Sequence, residues 1–221
     1  MLGFIEEIVL LQLDDRHGRF VDLPLSAGDV VLAGAALMEL ALQNRIDTDL
    51  ERLVVVDPKP TGDDILDGVL AQLARAGTEL AGAKLTTGAA IERVTLNARK
   101  YQDIAVRRLV EKGILREENG RFLWVFHTRR YPVVDDSEQR EVKTRLRQVL
   151  LTDEIPDPRD VVLLCLIEAC NLLGLVLSPD EIARTRPRVE QLSRLDLIGQ
   201  AVTKAVAEIR FIVKHATAPI Y

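Results

Sequence analysis

The stretch SAGDVVLAGAALMELALQNRI, residues 26–46, constrains the fold more than any other part of the chain. Its apolar residues fall on nearly every face of a helix rather than on one stripe. A helix of this kind must be surrounded by other elements, so the chain needs a core in which several helices pack around one central helix. Ser26, followed by Asp29 three residues later, predicts the N-terminal cap of this helix.

Glu39 is a carboxylate on this otherwise apolar helix, and two interpretations of it are open. A buried carboxyl group can have a raised pKa and serve as a general acid. Alternatively, Glu39 pairs with an arginine or reaches the edge of the helix. We favour the second interpretation, because buried carboxylates in proteins are usually paired.

The rest of the pattern predicts a mostly α-helical fold with short β-hairpins. We expect a single domain over residues 1–221, with its core over about residues 4–213. A strand is expected over 50–58, and Thr61 with Asp64 is expected to cap the helix that follows it. Ser178 and Glu181 are expected to form a capping box at the start of the helix over 179–194. Further helices are predicted over residues 4–13, 60–76, 86–112 (one or two helices), 137–151, 159–177, 179–194 and 196–213.

The clearest hairpin signal is an apolar segment at residues 114–131, where Asn119–Gly120 predicts a tight turn. The large side chains after the turn alternate between two faces. One face can pack on the core, and the other then needs a partner chain or a membrane. The candidate residues for this membrane or oligomer contact are Phe122, Leu123, Trp124 and Val125.

The sequence contains none of the common catalytic, metal-binding or nucleotide-binding motifs. The histidines at positions 17, 127 and 215 are far apart in the chain. His17 lies in LDDRHGRF, where aspartate and glycine favour a turn, and nothing nearby completes a ligand set or a triad. We therefore predict a structural role for His17, no catalytic residues, no metal site and no cofactor.

The longest apolar stretch, residues 161–177, is interrupted by Glu168 and Asn171 and is short for a transmembrane span of ~20 residues. Cys165 and Cys170 lie within it and are expected to be buried thiols, which indicates no oxidising compartment. We expect a cytoplasmic protein without a transmembrane helix.

The formal net charge is −5, yet residues 96–150 carry 13 Lys and Arg against 8 Asp and Glu. Such a basic segment faces an anionic partner or forms a solvated helix face. A helix followed by a hairpin is also the order found in winged-helix DNA-binding proteins. However, the chain is acidic overall and the hairpin is apolar, so we do not expect nucleic acid as a partner. The cations concerned are Arg99, Lys100, Arg107, Arg108, Lys112, Arg129 and Arg130.

Six stretches of the chain are informative together: EEIVLLQLDDRHGRF, LAGAALMELALQNRI, PTGDDILDG, RRLVEKGIL with the following hairpin, DPRDVVLLCLIEACNLL and RVEQLSRLD. In their order and spacing they resemble the Golgi phosphoprotein 3 family. The resemblance implies one mostly helical domain and a non-enzymatic peripheral membrane protein. Eukaryotic members bind phosphatidylinositol 4-phosphate on Golgi membranes and act as adaptors for glycosyltransferase tails, and their apolar hairpin supports self-association.

The family's lipid headgroup site transfers poorly to this chain. The position of its tryptophan falls on Pro24, and the positions of its three arginines fall on Ala33, Arg99 and Gln102. Only Arg99 is retained, and bidentate arginines are the side chains best suited to phosphate. The abundance of arginine over lysine, 22 against 7, suggests a GC-rich prokaryotic genome.

We therefore expect a protein that docks peripherally, at the cytoplasmic face, on an anionic phospholipid membrane without selecting one headgroup. A homo-oligomer through the 114–131 hairpin and a protein client are further expected partners. Two alternatives remain: a winged-helix-like nucleic-acid binder, and a homo-oligomeric scaffold without a lipid function.

Overall fold

A computed structural model describes residues 2–14, 17–21, 23, 27–48, 52–79, 85–120 and 128–192. This part of the chain is mostly α-helical, as the sequence predicts, with two short antiparallel hairpins. The helices are α1 (Phe4–Leu11), α2 (Ala27–Leu42), α3 (Asp64–Glu79), α4 (Thr87–Thr95), α5 (Ala98–Glu111), α6 (Ser137–Leu151), α7 (Pro158–Ala169) and α8 (Pro179–Leu192), with a 3-10 turn at Leu173–Leu175.

Helix α2 lies at the centre of the described core. Eleven of its sixteen residues are buried, and it packs against α1, α3, α4, α5 and α7. Helix α1 is buried along its whole length. This confirms that the apolar character of the 26–46 stretch produces a surrounded helix, since each fully buried Leu or Ile side chain contributes roughly 1.5–3 kcal/mol to folding.

Two predicted helices end earlier than expected, and both end at an asparagine with a positive φ. The helix expected over 26–46 stops at Leu42; Asn44 has φ 54°, and the chain then enters a strand. The helix expected over 159–177 stops at Ala169, and Asn171 has φ 60°. Asparagine tolerates this left-handed conformation better than most residues, so it can reverse the chain where glycine is absent.

The first hairpin pairs β1 (Ile46–Thr48) with β2 (Leu53–Val55), which confirms a strand within residues 50–58. The second pairs β3 (Glu118–Gly120) with β4 (Thr128–Arg130), and Gly120 lies opposite Thr128. The prediction of a turn at Asn119–Gly120 is therefore wrong, because both residues pair within the ladder. The contact residues predicted at positions 122–125 lie outside the described residues.

The N-terminal caps show one correct and one wrong prediction. Ser178 and Glu181 form the expected capping box of α8, because the Glu181 carboxylate accepts from Ser178 N at 2.9 Å. Helix α3 is capped by Asp63 instead of Thr61. The Asp63 carboxylate accepts from two backbone N–H groups of the first turn, Ile65 at 2.8 Å and Leu66 at 3.0 Å.

The turn that contains His17 connects α1 to the base of the second hairpin. Gly18 has φ 60°, and its carbonyl accepts from Tyr131 N at 2.7 Å. The ring of Phe20 meets the ring of Tyr131 edge to face, with centroids 6.0 Å apart. The turn is therefore held by backbone and aromatic contacts, which fits the structural role predicted for His17.

Candidate functional site

Most cations of the basic 96–150 segment that the structure describes are paired, and four pair with acids from other parts of the chain. Arg108 on α5 contacts Asp63 at 2.6 Å, and Lys112, just after α5, contacts Glu6 at 2.6 Å. Burial opposes the ionisation of Asp63, but hydrogen bonds from Arg108 and from Leu66 N outweigh it and hold the pKa of Asp63 below its usual value. Arg108 and Lys112 therefore form ion pairs that connect elements of the fold.

The same is true on α6. Arg145 bridges Glu7 of α1, at 2.8 Å, and Asp160 of α7. Arg147 contacts Glu181 of α8 at 2.5 Å. Among the described residues of the 96–150 segment, the excess positive charge therefore does not form a continuous basic surface, because acids from four other helices or their caps neutralise much of it.

Three cations on α5 remain exposed: Arg99, Lys100 and Arg107. Within the described part of the chain, none of them takes part in an ion pair. At 100° per residue they lie within an arc of about 100° around the helix axis. Asp103 shares this exposed face, so the face is basic but only weakly so. We call Arg99, Lys100 and Arg107 the α5 cations.

The first turn of α5 is electrostatically unfavourable for its own side chains. Arg99 and Lys100 are its second and third residues, and the turn contains no acid. The side chain of the N-cap residue Asn97 makes no capping hydrogen bond. Cations near a helix N-terminus oppose the helix dipole and typically destabilise the helix by about 0.3–1 kcal/mol each. An anionic surface would relieve this repulsion.

The four positions at which the resemblance places a lipid headgroup site are not equivalent in the structure. Arg99 is exposed at the start of α5, and Gln102 is half-buried one turn later. Ala33 lies on α2, which packs against α5, and is fully buried. Pro24 lies outside the described residues. The structure thus offers one exposed cation from this set, and its role in lipid binding remains a prediction.

A separate polar cleft of about 380 Å³ opens where α1, α2, α3, α5 and α7 meet. Its charged walls carry three acids and three cations, so the cleft has no net formal charge. The charged residues are Glu6, Glu39, Asp63, Arg108, Lys112 and Arg159, and the apolar ones are Leu2, Ile5, Ile65 and Leu66.

Glu39 lies in this cleft and pairs with an arginine, which is one of the two arrangements that the favoured interpretation allowed. Its carboxylate accepts from Phe4 N at 2.8 Å and lies 3.9 Å from Arg159, whose guanidinium stacks 3.9 Å from the Phe4 ring centroid. Burial raises the pKa of Glu39, while the Phe4 hydrogen bond and Arg159 oppose this rise. The cleft is therefore lined by ion pairs that connect the ends of neighbouring helices. The sequence did not single out Glu6 or Arg159 for this arrangement.

Among the described residues, no group of three or more histidine, cysteine, aspartate or glutamate side chains has the arrangement of a metal site. His17 is exposed, and its imidazole lies 3.4 Å from Asp14 within the same turn. Cys170 is buried, and this burial raises its pKa to about 12, whereas Cys165 is half-buried. None of the described helices combines the length and the apolar character that a membrane crossing requires.

Comparison with known proteins confirms the resemblance given above. The family model of Golgi phosphoprotein 3 (GPP34) matches residues 4–209. A vacuolar protein sorting-associated protein 74 from Eremothecium gossypii is 29% identical over 208 residues, covering 80% of this chain and 62% of that protein. The protein of the same name from Schizosaccharomyces pombe is 28% identical, covering 67% of this chain and 48% of its own length. The matches thus span about half to three fifths of these relatives.

Proposed function

This chain belongs to the Golgi phosphoprotein 3 family, and on that premise we propose that it is a non-enzymatic peripheral protein that binds anionic phospholipid surfaces through the α5 cations. One observation carries the proposal: the α5 cations are exposed, and within the described part of the chain none of them is in an ion pair. They lie on the helix at which the family resemblance places headgroup arginines. Cations on a folded surface are normally paired or solvated. Because the first turn of α5 carries two cations and no side-chain cap, an anionic partner would stabilise the N-terminus of this helix.

The expected affinity is low. Each Lys or Arg close to an anionic membrane contributes about 1 kcal/mol, and the attraction fades within a Debye length of ~10 Å at 0.1 M salt. Three cations therefore supply about 3 kcal/mol at most. The formal charge of −5 on the whole chain opposes approach to the membrane. We expect reversible docking that disappears at high salt.

Headgroup selection is not expected. Selection among phosphoinositides needs several phosphate-binding side chains in a fixed geometry. Here Ala33 is apolar and fully buried, and Gln102 is uncharged, so Arg99 stands alone among the described family positions. This supports binding to any acidic lipid at matched surface charge.

The name of the relatives associates them with protein sorting, which supports a further role as an adaptor for a protein client. We place the protein at the cytoplasmic membrane face. Self-association through the 114–131 hairpin would strengthen docking, because each added copy brings its own α5 cations to the same surface.

Vesicle flotation tests the proposal. The protein is mixed with neutral vesicles and with vesicles of phosphatidylserine, phosphatidylglycerol or phosphatidylinositol 4-phosphate at equal surface charge, in 0.05–0.5 M salt. We expect flotation with all acidic vesicles at low salt and none at 0.5 M salt. Arg99→Ala with Lys100→Ala should weaken binding by about 30-fold, because about 2 kcal/mol is lost.

A matched control removes the same charge elsewhere. Arg184 and Arg186 are exposed on α8, which packs against α6 and α7. Their double alanine variant should bind as the wild type does. Tight, salt-resistant binding to the 4-phosphate alone would contradict the absence of selection. A folded protein that binds no acidic vesicle would overturn the lipid function. If that protein retards DNA in a gel and the retardation depends on the α5 cations, the nucleic-acid alternative is favoured.

A further inference from the structure

We propose that the protein docks with the corner between α4 and α5 towards the membrane, and that Leu96 at this corner inserts among the acyl chains of an anionic bilayer. This inference rests on the proposed function and adds an orientation and an insertion point to it. The α4–α5 corner comprises residues 96–100, from Leu96 to Lys100.

Leu96 is unusually exposed for a leucine, with 82% of its surface accessible. It lies in the two-residue turn between Thr95, the last residue of α4, and the start of α5. Single exposed apolar residues are common on protein surfaces, so exposure alone does not indicate a function.

The charge around Leu96 is what indicates an anionic bilayer as its partner. Within four residues on either side there are three cations, Arg93, Arg99 and Lys100, against one acid, Glu92. This is the largest local excess of cations among the six large apolar side chains that are exposed in the described part of the chain. An apolar tip flanked by cations matches a membrane interface, where acidic headgroups surround an apolar interior.

Ile155 provides the opposite arrangement in the same molecule. It is even more exposed, at 97%, and lies in the loop between α6 and α7. Within four residues it has three acids, Asp153, Glu154 and Asp157, against the single cation Arg159. An acidic bilayer repels this loop, so Ile155 is a matched control for apolar exposure without charge complementarity.

The orientation follows from the geometry of α5. Arg107 lies eight residues beyond Arg99, about 12 Å further along the helix axis. With the corner towards the membrane, this separation exceeds the Debye length of ~10 Å at 0.1 M salt. Asp103 and Glu111 flank Arg107 at four residues on either side and reduce its effective charge further. Arg99 and Lys100 should then supply most of the attraction, and Arg107 little.

The test measures partition onto phosphatidylglycerol vesicles and the environment of residue 96 in the full chain. Leu96→Ser should lower the partition coefficient about tenfold, which corresponds to about 1.4 kcal/mol, whereas Ile155→Ser should leave it unchanged. Arg99→Ala should lower it several-fold more than Arg107→Ala. Circular dichroism and thermal unfolding check that each variant is folded.

Fluorescence reports insertion directly. Cys165→Ala with Leu96→Cys allows labelling at position 96 with an environment-sensitive dye, because the buried Cys170, with its pKa of about 12, does not react. We expect a blue shift on acidic vesicles and quenching by spin labels in the acyl chains. The same dye at Ile155→Cys should stay in water.

Three results would overturn the insertion of Leu96. If Leu96→Ser binds normally and the dye stays in water while Arg99 and Arg107 contribute equally, the protein docks flat on α5; the proposed lipid function then stands without the insertion. If the folded wild type binds no acidic vesicle, both proposals fail. If Trp124→Ala lowers partition onto the acidic vesicles while Leu96→Ser partitions as the wild type does, the insertion is assigned to the hairpin instead.

Discussion

Reversing the charge of Arg99 should make the protein more stable and a weaker membrane binder at the same time. Arg99 is the second residue of α5, where its positive charge opposes the partial positive charge of the helix N-terminus. Glutamate at this position interacts favourably with the same dipole. A stabilising substitution that impairs binding is the pattern expected when a residue is retained for function at the expense of stability.

The magnitude follows from the local charges. Removing an unfavourable cation and adding a favourable anion in the first turn gains about 1 kcal/mol. Asp103, four residues along, becomes a like-charge neighbour of the introduced glutamate and reduces this gain by about 0.4 kcal/mol. For a chain of 221 residues, the net gain of about 0.6 kcal/mol raises Tm by about 2 °C. The loss of two charge units at the membrane costs about 2 kcal/mol, or roughly 30-fold in affinity.

Arg107→Glu is the matched control for Arg99→Glu. It makes the same change of charge on the same helix, but beyond the first turn, where the dipole no longer acts. It also places glutamate between Asp103 and Glu111. We therefore expect the Tm of Arg107→Glu to fall by about 1–2 °C, opposite in sign to that of Arg99→Glu.

Thermal unfolding at low salt and flotation with phosphatidylglycerol vesicles measure the two quantities on the same samples. If Arg99→Glu lowers Tm, Arg99 makes a stabilising contact and the argument from the helix dipole is refuted. If Tm rises and vesicle binding is unchanged, Arg99 does not face the membrane. High salt should shrink both effects, because surface charges are screened.

Four further predictions concern other parts of the molecule. Gly18→Ala should lower the free energy of unfolding by about 3 kcal/mol, because φ is 60° and the added Cβ would overlap the Tyr131 backbone; unchanged denaturant unfolding would contradict this. Burial raises the pKa of Glu39, so the folded state favours the protonated carboxyl group. The contribution of Glu39 to stability is therefore complete below about pH 4.5 and is lost as pH rises through its folded pKa. Glu39→Gln should therefore gain stability relative to the wild type between pH 4 and pH 7 in urea unfolding, and a relative loss would refute the sign. Trp124→Ala should shift any oligomer towards monomer in sedimentation, whereas His17→Ala should change neither oligomer nor vesicle binding; a wild type that stays monomeric at high concentration would contradict self-association.

The sequence alone predicted the features that depend on neighbouring residues. The apolar residues on every face of α2 predicted its central position, because burial on all sides is the only stable arrangement for such a helix. Ser178 and Glu181 predicted their capping box, since both partners lie within one turn. The order and spacing of the quoted segments along the chain were sufficient to indicate the family.

Predictions failed where two local signals competed. Asn119–Gly120 favours a tight turn, but the strand register extends through both residues, which pair with Arg129 and Thr128. Thr61 and Asp63 are both good caps, and the local pattern alone did not show that Asp63 would occupy the N-cap position. Asn44 ends α2 through a positive φ that propensity does not reveal.

The surface charge was decided by the tertiary structure. Glu7 and Arg145 are 138 residues apart in the chain but lie 2.8 Å apart, and Asp63 and Arg108 are 45 residues apart and lie 2.6 Å apart. Coulomb energy depends on distance in space, so counting charges along the sequence could not show which cations are neutralised. Only the packing of α5 against α1 and α2 leaves Arg99 exposed beside Leu96, and the proposed membrane contact depends on that arrangement.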